Sequence, residues 1–311
     1  MKLAGKTVAV VGGAGFVGSH LVEALLKSGA EPTVVDNFWA GTEDRIPDSV
    51  RVYDCDIRDR EQLEEIITTV GPDAVVHLAA LHYIPFCNQN PEATFDVNVL
   101  GTRNLLQACK SVSSVSKFVF ASSAAVYGPH DDPITEDIVP DPGDIYGRTK
   151  LIGEDLVESA GLQTDIDTSV ARLFNIFGPR ETNPHLIPEI VEQLDGGSRV
   201  VELGNLSPQR DFVYVTDVAD AFTTLLTTDR EPGPFNVGSG EGRSVADVVE
   251  TFEAVLGESI EIEQDSNRMR DDDPDHLYAD VGRIRSETGW TPSVEFKTGI
   301  RRLLESSDVE Y

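Results

Sequence analysis

The feature that most constrains the fold is a glycine-rich turn between an apolar run and a segment with helical periodicity. Glycines stand at every third position, Gly12, Gly15 and Gly18, after a predicted strand over residues 6–11 and before a predicted helix over residues 16–28. Glycine lets the backbone approach a pyrophosphate closely, and the free N–H groups at the helix start attract its charge. This strand–turn–helix context favours a dinucleotide site. The predicted contacts are Gly12, Gly15, Phe16 and Val17.

The N-terminal half alternates apolar, β-branched runs with helix-period segments. Further strands are predicted at residues 33–36, 50–54, 74–77, 117–121 and 170–175, and further helices at residues 60–69, 91–110 and 146–159. Strands that are apolar throughout and alternate with helices are typical of a parallel sheet covered on both faces. We therefore predict an α/β fold, a Rossmann-type doubly wound parallel sheet with a smaller C-terminal substrate-binding lobe.

The alternation weakens beyond the strand predicted at residues 170–175. Long loops rich in Pro, Gly and Asn follow, with partly helical segments at residues 213–227 and 245–256 and an acidic loop at residues 265–275. We predict that residues 1–176 bind NAD, with return segments around residues 210–230. Residues 177–311 should form mainly the substrate-binding lobe.

An aspartate at the end of the second predicted strand indicates which dinucleotide binds. A carboxylate there accepts hydrogen bonds from the adenosine ribose hydroxyls and repels the 2′-phosphate of NADP. Asp36 therefore predicts NAD as the cofactor. Residues after the neighbouring strands should complete the site, and those predicted to contact the cofactor are Asn37, Asp56, Ile57, Leu78, Ala79 and Ala80.

The chemistry is predicted from a tyrosine and a lysine four residues apart, which lie on one helical face. The ammonium of Lys150 should favour the phenolate form of Tyr146, and so should a positively charged nicotinamide. Ser122 and Ser123 follow the preceding strand, at the carboxyl edge of the sheet where ligands bind in such folds. A serine at this edge can pass a proton between a substrate hydroxyl and the tyrosine.

Together, the glycine turn, Asp36, residues 77–80, the paired serines and the Tyr/Lys pair resemble the extended short-chain dehydrogenase/reductase family. Within it, residues 6–302 are similar to the NAD-dependent sugar-nucleotide epimerase/dehydratase group. The resemblance implies that Ser123 is the catalytic hydroxyl residue, Tyr146 the base and Lys150 the residue that binds the nicotinamide ribose. It places Asn98 near the cofactor.

The resemblance also implies how a nucleotide-diphosphate sugar would be held. Two arginines would clamp the diphosphate, and arginines on loops after the strands suit that task because they bind phosphate in a bidentate manner. The segment after Ala80 would border the sugar, so His82 and Tyr83 are candidates for recognising the hexose. Leu277 falls where epimerases line the sugar pocket. The residues expected at the substrate are His82, Ser123, Tyr146, Asn175, Arg210 and Arg270.

The two residues after Ser123 bear on the reaction. Dehydratases of this group carry an acidic pair there, whereas Ala124 and Ala125 supply neither an acid nor a base. The resemblance therefore favours a 4-epimerase that oxidises a UDP-hexose transiently at C4 to a 4-keto sugar. Three alternatives stay open: a UDP-glucuronate epimerase or decarboxylase, an atypical nucleotide-sugar dehydratase and, in another class, a non-catalytic NAD-binding regulatory protein.

The charge balance limits the partners. The sequence has 54 acidic and 25 basic residues, a formal net charge of −29, and this field repels nucleic acids and anionic membranes. No apolar run reaches the ~18 residues that span a bilayer, and no signal peptide is recognised, so we expect a cytoplasmic protein. The cysteines and histidines show no metal-ligand spacing, so no metal is predicted. The resemblance implies a homodimer formed through residues 91–110 and 146–159.

The scarcity of lysine and the even spread of acidic residues are typical of a halophile's protein. We predict that the melting temperature rises as salt is raised from about 0.1 M to about 3 M, because the Debye length falls to about 3 Å near 1 M salt and self-repulsion is screened. Circular dichroism melts in KCl test this. A melting temperature that stays constant across the range would contradict it.

Overall fold

The chain folds around a seven-stranded sheet in which all neighbouring strands are parallel. The computed structural model describes residues 1–181, 183–228, 233–265, 276–307 and 309. The strands in these ranges are, in chain order, β1 Thr7–Val11, β2 Glu31–Asp36, β3 Arg51–Asp54, β4 Ala74–His77, β5 Lys117–Ser123, β6 Asp167–Leu173, β7 Asn175–Phe177, β8 Val200–Leu203, β9 Gln209–Tyr214, β10 Pro234–Val237, β11 Gly242–Ser244, β12 Glu261–Gln264 and β13 His276–Leu277. The large sheet has the order β10-β6-β5-β4-β1-β2-β3. This doubly wound order confirms the predicted Rossmann-type fold.

Helices cover both faces of the sheet. They are α1 Phe16–Lys27, α2 Arg60–Val70, α3 Ile84–Gln89, α4 Pro91–Phe95, α5 Thr102–Lys110, α6 Ile145–Gln163, α7 Leu186–Leu194, α8 Val215–Thr227, α9 Val245–Leu256, α10 Gly282–Thr288 and α11 Phe296–Glu305. A π-helical stretch, Asp96–Gly101, joins α4 to α5. No helix of the described ranges is both long and apolar enough to pass through a bilayer.

Alternate residues of the strands supply two separate cores. On β1, Val8 and Val10 pack with α1 and α8 on one face, while Ala9 and Val11 pack with α2, α5 and α6 on the other. A third core, which includes Phe177 and residues of α7, α9 and α11, lies in the C-terminal lobe. The sheet therefore presents its carboxyl edge to this lobe.

Several predicted boundaries were wrong, and the errors have local causes. The strand predicted at residues 170–175 is two strands, because the chain leaves the large sheet at Phe174 and β7 pairs with β9. The partly helical segment predicted at residues 213–227 is helical from Val215 onward, after the end of β9, in agreement with the prediction. The loop expected after Ala80 becomes helical at Ile84, where Pro85 stands in the first turn of α3.

The C-terminal lobe is interleaved with the sheet. Helix α8 packs against α1, and β10 adds the strand beyond β6, so residues outside the predicted return segment 210–230 also join the large sheet. The domain division at residue 176 stays a prediction. Strands β7, β9, β11 and β13 form a smaller sheet beside the carboxyl edge of the large one.

Candidate active site

The glycine turn lies between the ends of β1 and β4. Gly12 has a left-handed φ of 85°, and a Cβ atom there would lie 2.5 Å from the backbone nitrogen of Ala79. A side chain at Gly18 would collide with the carbonyl oxygen of Gly12, so α1 packs directly on the turn. Gly15, the N-cap of α1, has no side chain to occupy the free N–H groups. This cradle fits a pyrophosphate. The contacts predicted at Phe16 and Val17 depend on such a fit.

Asp36 ends β2 beside this turn. Its carboxylate accepts hydrogen bonds from the N–H groups of Ala14 at 2.9 Å and of Phe38 at 2.8 Å. Burial raises the pKa of this carboxyl, and the two hydrogen bonds act in the opposite direction. A carboxylate has about four lone-pair sites, so it can hold both backbone groups and still accept ribose hydroxyls.

Of the other residues predicted at the adenosine, Asn37 and Asp56 lie near the surface, whereas Ile57 is buried. Asn37 donates a hydrogen bond to the Asp56 carboxylate at 3.1 Å. The guanidinium of Arg58 donates two more to Asp56, at 2.9 and 2.7 Å, and lowers the pKa of this carboxyl to about 2. Ile57 is buried and packs on Gly101, where a Cβ atom would lie 2.5 Å from its side chain.

The segment after β4 is held beside the glycine turn. The N–H groups of Leu78 and Ala79 both donate to the carbonyl of Val11, at 2.8 and 3.0 Å, and Ala80 continues this segment. Asn98 is buried and exchanges two hydrogen bonds with the backbone of Leu81, at 2.8 and 2.9 Å. Its amide also donates to Thr149 on α6 at 3.0 Å. Asn98 therefore ties this segment to α6, a structural role that the sequence did not indicate.

The start of α6 brings Tyr146 to Ser123. The side chain of Asp144 caps the helix by accepting from the N–H group of Gly147 at 2.8 Å. A Cβ atom at Gly147 would collide with the carbonyl oxygen of Ala125, so glycine permits close packing of α6 on the segment after β5. Ser123 ends β5, accepts from the Ala125 N–H group at 3.1 Å and is near enough to Tyr146 for its hydroxyl to lower the pKa of the phenol.

Burial dominates the electrostatics of Tyr146. It raises the pKa of Tyr146 above its ordinary value, and the nearby Ser123 hydroxyl offsets only part of this shift. Lys150 donates to the Ala121 carbonyl at 2.8 Å, and its Nζ atom lies 5.8 Å from the centre of the Tyr146 ring. Burial lowers the pKa of Lys150 to about 8. The predicted phenolate depends on the charge of the nicotinamide as well as on Lys150, so it stays a prediction.

A buried polar network lies directly behind these residues. The guanidinium of Arg172 on β6 donates to both carboxylate oxygens of Glu154 on α6, at 2.9 and 2.6 Å. It also donates to the Tyr127 hydroxyl at 2.8 Å, which in turn donates to Asn236 on β10 at 2.8 Å. The Ser122 hydroxyl donates to Glu154 as well.

This network was not predicted, although two signals in the sequence point to it. Glu154 stands four residues after Lys150, as Lys150 stands four residues after Tyr146, so all three share one helical face. Arg172 is a charged residue in a strand whose middle residues, 168–172, are all buried. A charged residue in such a place requires a buried partner.

Two of the residues predicted at the diphosphate, Asn175 and Arg210, lie on the smaller sheet. Asn175 on β7 donates to the Asp211 carbonyl at 3.1 Å. Arg210 lies within β9, so its predicted place on a loop was wrong; residues 209–214 continue as a strand because they pair with β7, β11 and β13. Leu277 is the direct partner of Arg210 in the register of β13. Arg270 lies outside the described residues.

The two lobes meet at His82. Its Nε2 atom lies 2.5 Å from the Nδ2 atom of Asn183, which belongs to the C-terminal lobe. The neighbouring ring of Tyr83 lies with its centre 6.3 Å from that of His185. The contacts that these and the other residues would make with ligands stay predictions.

Glu154→Gln tests the network. We expect the free energy of unfolding to fall by about 3–5 kcal/mol, because the Arg172 guanidinium is left buried without its counter-charge. Urea unfolding measures the change. Glu158→Gln, on the exposed face of the same helix, is the matched control and should change stability by less than about 0.5 kcal/mol. Equal losses in the two variants would contradict the assignment.

The lowered pKa of Lys150 predicts a pH-dependent stability difference. The folded value of about 8 lies below the unfolded value of about 10.4, so its stabilising contribution is complete above about pH 10.4 and is lost as the pH falls through 8. The stability of wild type relative to Lys150→Met should therefore fall by about 3 kcal/mol between pH 10.4 and pH 7. Urea unfolding of both proteins, freed of bound dinucleotide, measures this. A difference independent of pH would refute it.

The sequence and fold are similar to those of known nucleotide-sugar epimerases. The family model described as "NAD dependent epimerase/dehydratase family" matches residues 8–238. UDP-glucose 4-epimerase of Corynebacterium glutamicum is 33% identical over 316 aligned positions, which cover 96% of this chain and 93% of that protein.

Solved structures of epimerases are similar to this chain as well. UDP-glucose 4-epimerase of Thermus thermophilus in complex with NAD superposes with a TM-score of 0.87 and 32% identity, covering 96% of this chain and 98% of the other. UDP-N-acetylglucosamine 4-epimerase of Methanobrevibacter ruminantium M1, in complex with UDP-N-acetylmuramic acid, gives a TM-score of 0.89 with 29% identity, covering 97% and 98%. The match of most of the chain to an NAD-dependent family, together with the cradle at Gly12, identifies the cofactor as NAD. This chain is a member of the NAD-dependent epimerase/dehydratase family.

Proposed function

We propose that the protein is a nucleotide-sugar 4-epimerase that acts on a UDP-hexose. The observation that carries this proposal is the close packing of the start of α6, with Tyr146, on the segment that begins with Ser123 at the end of β5, with Lys150 one turn farther along α6. Ser123 and Tyr146 lie at the carboxyl edge of the large sheet, the same edge at which the glycine turn follows β1. The activities named for the relatives support the same class of substrate.

In this mechanism, Tyr146 takes the proton of the sugar's C4 hydroxyl, directly or through the Ser123 hydroxyl. When bound, NAD supplies the redox chemistry by accepting a hydride from C4 and giving it back. Because the proton and the hydride both return, the reaction involves no net oxidation. Return to the opposite face of the sugar inverts C4. The Lys150 ammonium stabilises the phenolate while Tyr146 acts as the base, and this attraction opposes the burial that raises the pKa of Tyr146.

The surroundings of Ser123 argue against dehydration. Ala124 is buried and Ala125 packs its carbonyl against Gly147, so this turn offers no group to expel the 6-hydroxyl or to take a proton from C5. General acid–base catalysis of those steps would require titratable side chains there. A UDP-glucuronate epimerase or decarboxylase is the principal alternative.

The UDP moiety would be held from the smaller sheet. We assign the diphosphate contacts to Asn175 and Arg210, with Arg270 completing the arginine pair expected from the resemblance. A UDP-N-acetylhexosamine is a second candidate substrate. Leu277, the register partner of Arg210, stands where the resemblance places a residue of the sugar pocket, and leucine is smaller than tyrosine. The named activity of the Methanobrevibacter relative favours this candidate.

We also propose a homodimer formed through α4, α5 and α6. Phe95 on α4 is 40% exposed, and Ile152 on α6 is 37% exposed. Phe95 and Ile145 line one groove, and Ile152 lies two helical turns beyond Ile145 on the same side of α6. Exposed apolar residues on these helices support a subunit interface there.

Product identification tests the function. The purified protein is incubated with UDP-glucose, UDP-galactose, UDP-N-acetylglucosamine, UDP-glucuronate, dTDP-glucose and GDP-mannose, and the products are identified by NMR. We expect a C4 epimer with no accumulation of NADH. Tyr146→Phe should lower turnover by roughly 10²–10⁴-fold while retaining NAD. Tyr53→Phe, at the far edge of the sheet, is the control and should keep full activity. A 4-keto-6-deoxy or decarboxylated product would overturn the proposal.

A further inference from the structure

One polar cluster beside the active site contains an acceptor that the proposed reaction does not use. We define the Glu181 cluster as Glu181, Asn183 and His185 of the C-terminal lobe with His82 and Tyr83 of the segment after β4. Glu181 Oε1 lies 2.6 Å from His185 Nδ1. The Glu181 side chain is only 4% exposed, and its Oε2 atom has no hydrogen-bond partner among residues 1–181 and the other described ranges. A buried acceptor of this kind is costly unless a ligand donates to it.

The backbone before Glu181 is fixed. Arg180 has a left-handed φ of 74°, which is unusual for a residue with a side chain. Its guanidinium donates to Ser19 at 3.2 Å and to Glu23 at 2.7 Å, both on α1. These contacts anchor the turn to the helix that follows the glycine motif. The direction of the Glu181 side chain is therefore set before any ligand binds.

The cluster borders the reacting centre. The His82 side chain contacts Asn183 across the lobes, and Tyr83 stacks at an angle on His185. His82 is exposed to solvent yet surrounded by protein, as is typical of a residue that lines a cleft. Desolvation by the surrounding protein lowers the pKa of His82. The preceding residue, Leu81, is hydrogen bonded through its backbone to Asn98, which donates to Thr149 beside Lys150, so the cluster adjoins the helix that carries the catalytic lysine.

We propose that the Glu181 cluster binds the hexose of the nucleotide sugar, with Glu181 Oε2 accepting a hydrogen bond from a sugar hydroxyl. The choice of ligand class rests on the proposed function. A site built to bond a hydroxyl discriminates strongly against ligands that cannot supply it, because its own polar group is then left unpaired. The cluster therefore determines which hexose binds.

The same carboxylate selects against uronates. A sugar carboxylate near Glu181 would bring a second acidic group against a carboxylate side chain that is only 4% exposed, which is unfavourable. UDP-hexoses with an uncharged sugar are therefore the preferred ligands, and UDP-glucuronate is disfavoured.

Equilibrium binding to the NAD-loaded protein tests the proposal. Titration calorimetry with UDP, UDP-glucose and UDP-glucuronate separates the sugar from the nucleotide, since UDP alone lacks the hexose. We expect wild type to bind UDP-glucose at least tenfold more tightly than UDP-glucuronate. Glu181→Gln should weaken UDP-glucose binding about tenfold or more and leave UDP binding unchanged, because a hydrogen bond to a charged acceptor is lost.

Glu192→Gln is the matched control, since it removes one exposed carboxylate from the same lobe. It should leave all three affinities unchanged. A purely structural role for Glu181, holding His185 and the start of α7, would instead lower the melting temperature and weaken UDP and UDP-glucose equally. That result would overturn the proposal, as would unchanged UDP-glucose binding in Glu181→Gln or equal binding of both sugars by wild type.

The binding experiment and the product assay fail separately. If UDP-glucose binds as expected but no C4 epimer forms, the proposed reaction is wrong and the assignment of the Glu181 cluster stands. If a C4 epimer forms but Glu181→Gln binds UDP-glucose like wild type, the cluster assignment is wrong and the proposed reaction stands.

Discussion

Helix α6 is held against the parallel sheet by a guanidinium–carboxylate pair from which water is largely excluded. Arg172 and Glu154 join β6 to α6, and Ser122 extends the contact to β5. Because Tyr146 and Lys150 lie on the same face of α6, this pair fixes how deeply both side chains enter the site. Buried ion pairs contribute little net stability, but they define one geometry, since a shifted helix would leave a charge unpaired. The ion pair therefore also fixes the positions of Tyr146 and Lys150.

Local chemistry explains why much of the N-terminal half could be predicted. The tight approach at Gly12, the strand-end carboxylate at Asp36 and the four-residue step from Tyr146 to Lys150 are each short patterns whose geometry follows from one turn or one helix. Apolar strands that alternate with helices leave few topologies available. The predicted sheet and the NAD cofactor therefore both agree with the fold and the relatives of the chain.

The parts that could not be predicted depend on distant partners. Phe174 looks like the continuation of a strand, yet the chain leaves the sheet there because Asn175 pairs with residues nearly forty positions later. Arg210 was predicted on a loop because the strands that pair with β9 are also distant in the sequence. The raised pKa of Tyr146 could not be predicted, because the burial that causes it is revealed only by the packed structure. The proposed role of Glu181 could not be predicted from the sequence, because its unpartnered oxygen is visible only when the lobes are packed together.

The last strand of the large sheet has a consequence for biosynthesis. Residues 234–237 pair with β6, and Asn236 completes the hydrogen bonds of Tyr127. Until the ribosome has released these residues, the edge of β6 has no neighbour, and an open strand edge is a template for pairing with other chains. The large sheet therefore cannot be completed when residues 1–176 alone have been translated. Its last strand can pair with β6 only after residues 234–237 have left the ribosome.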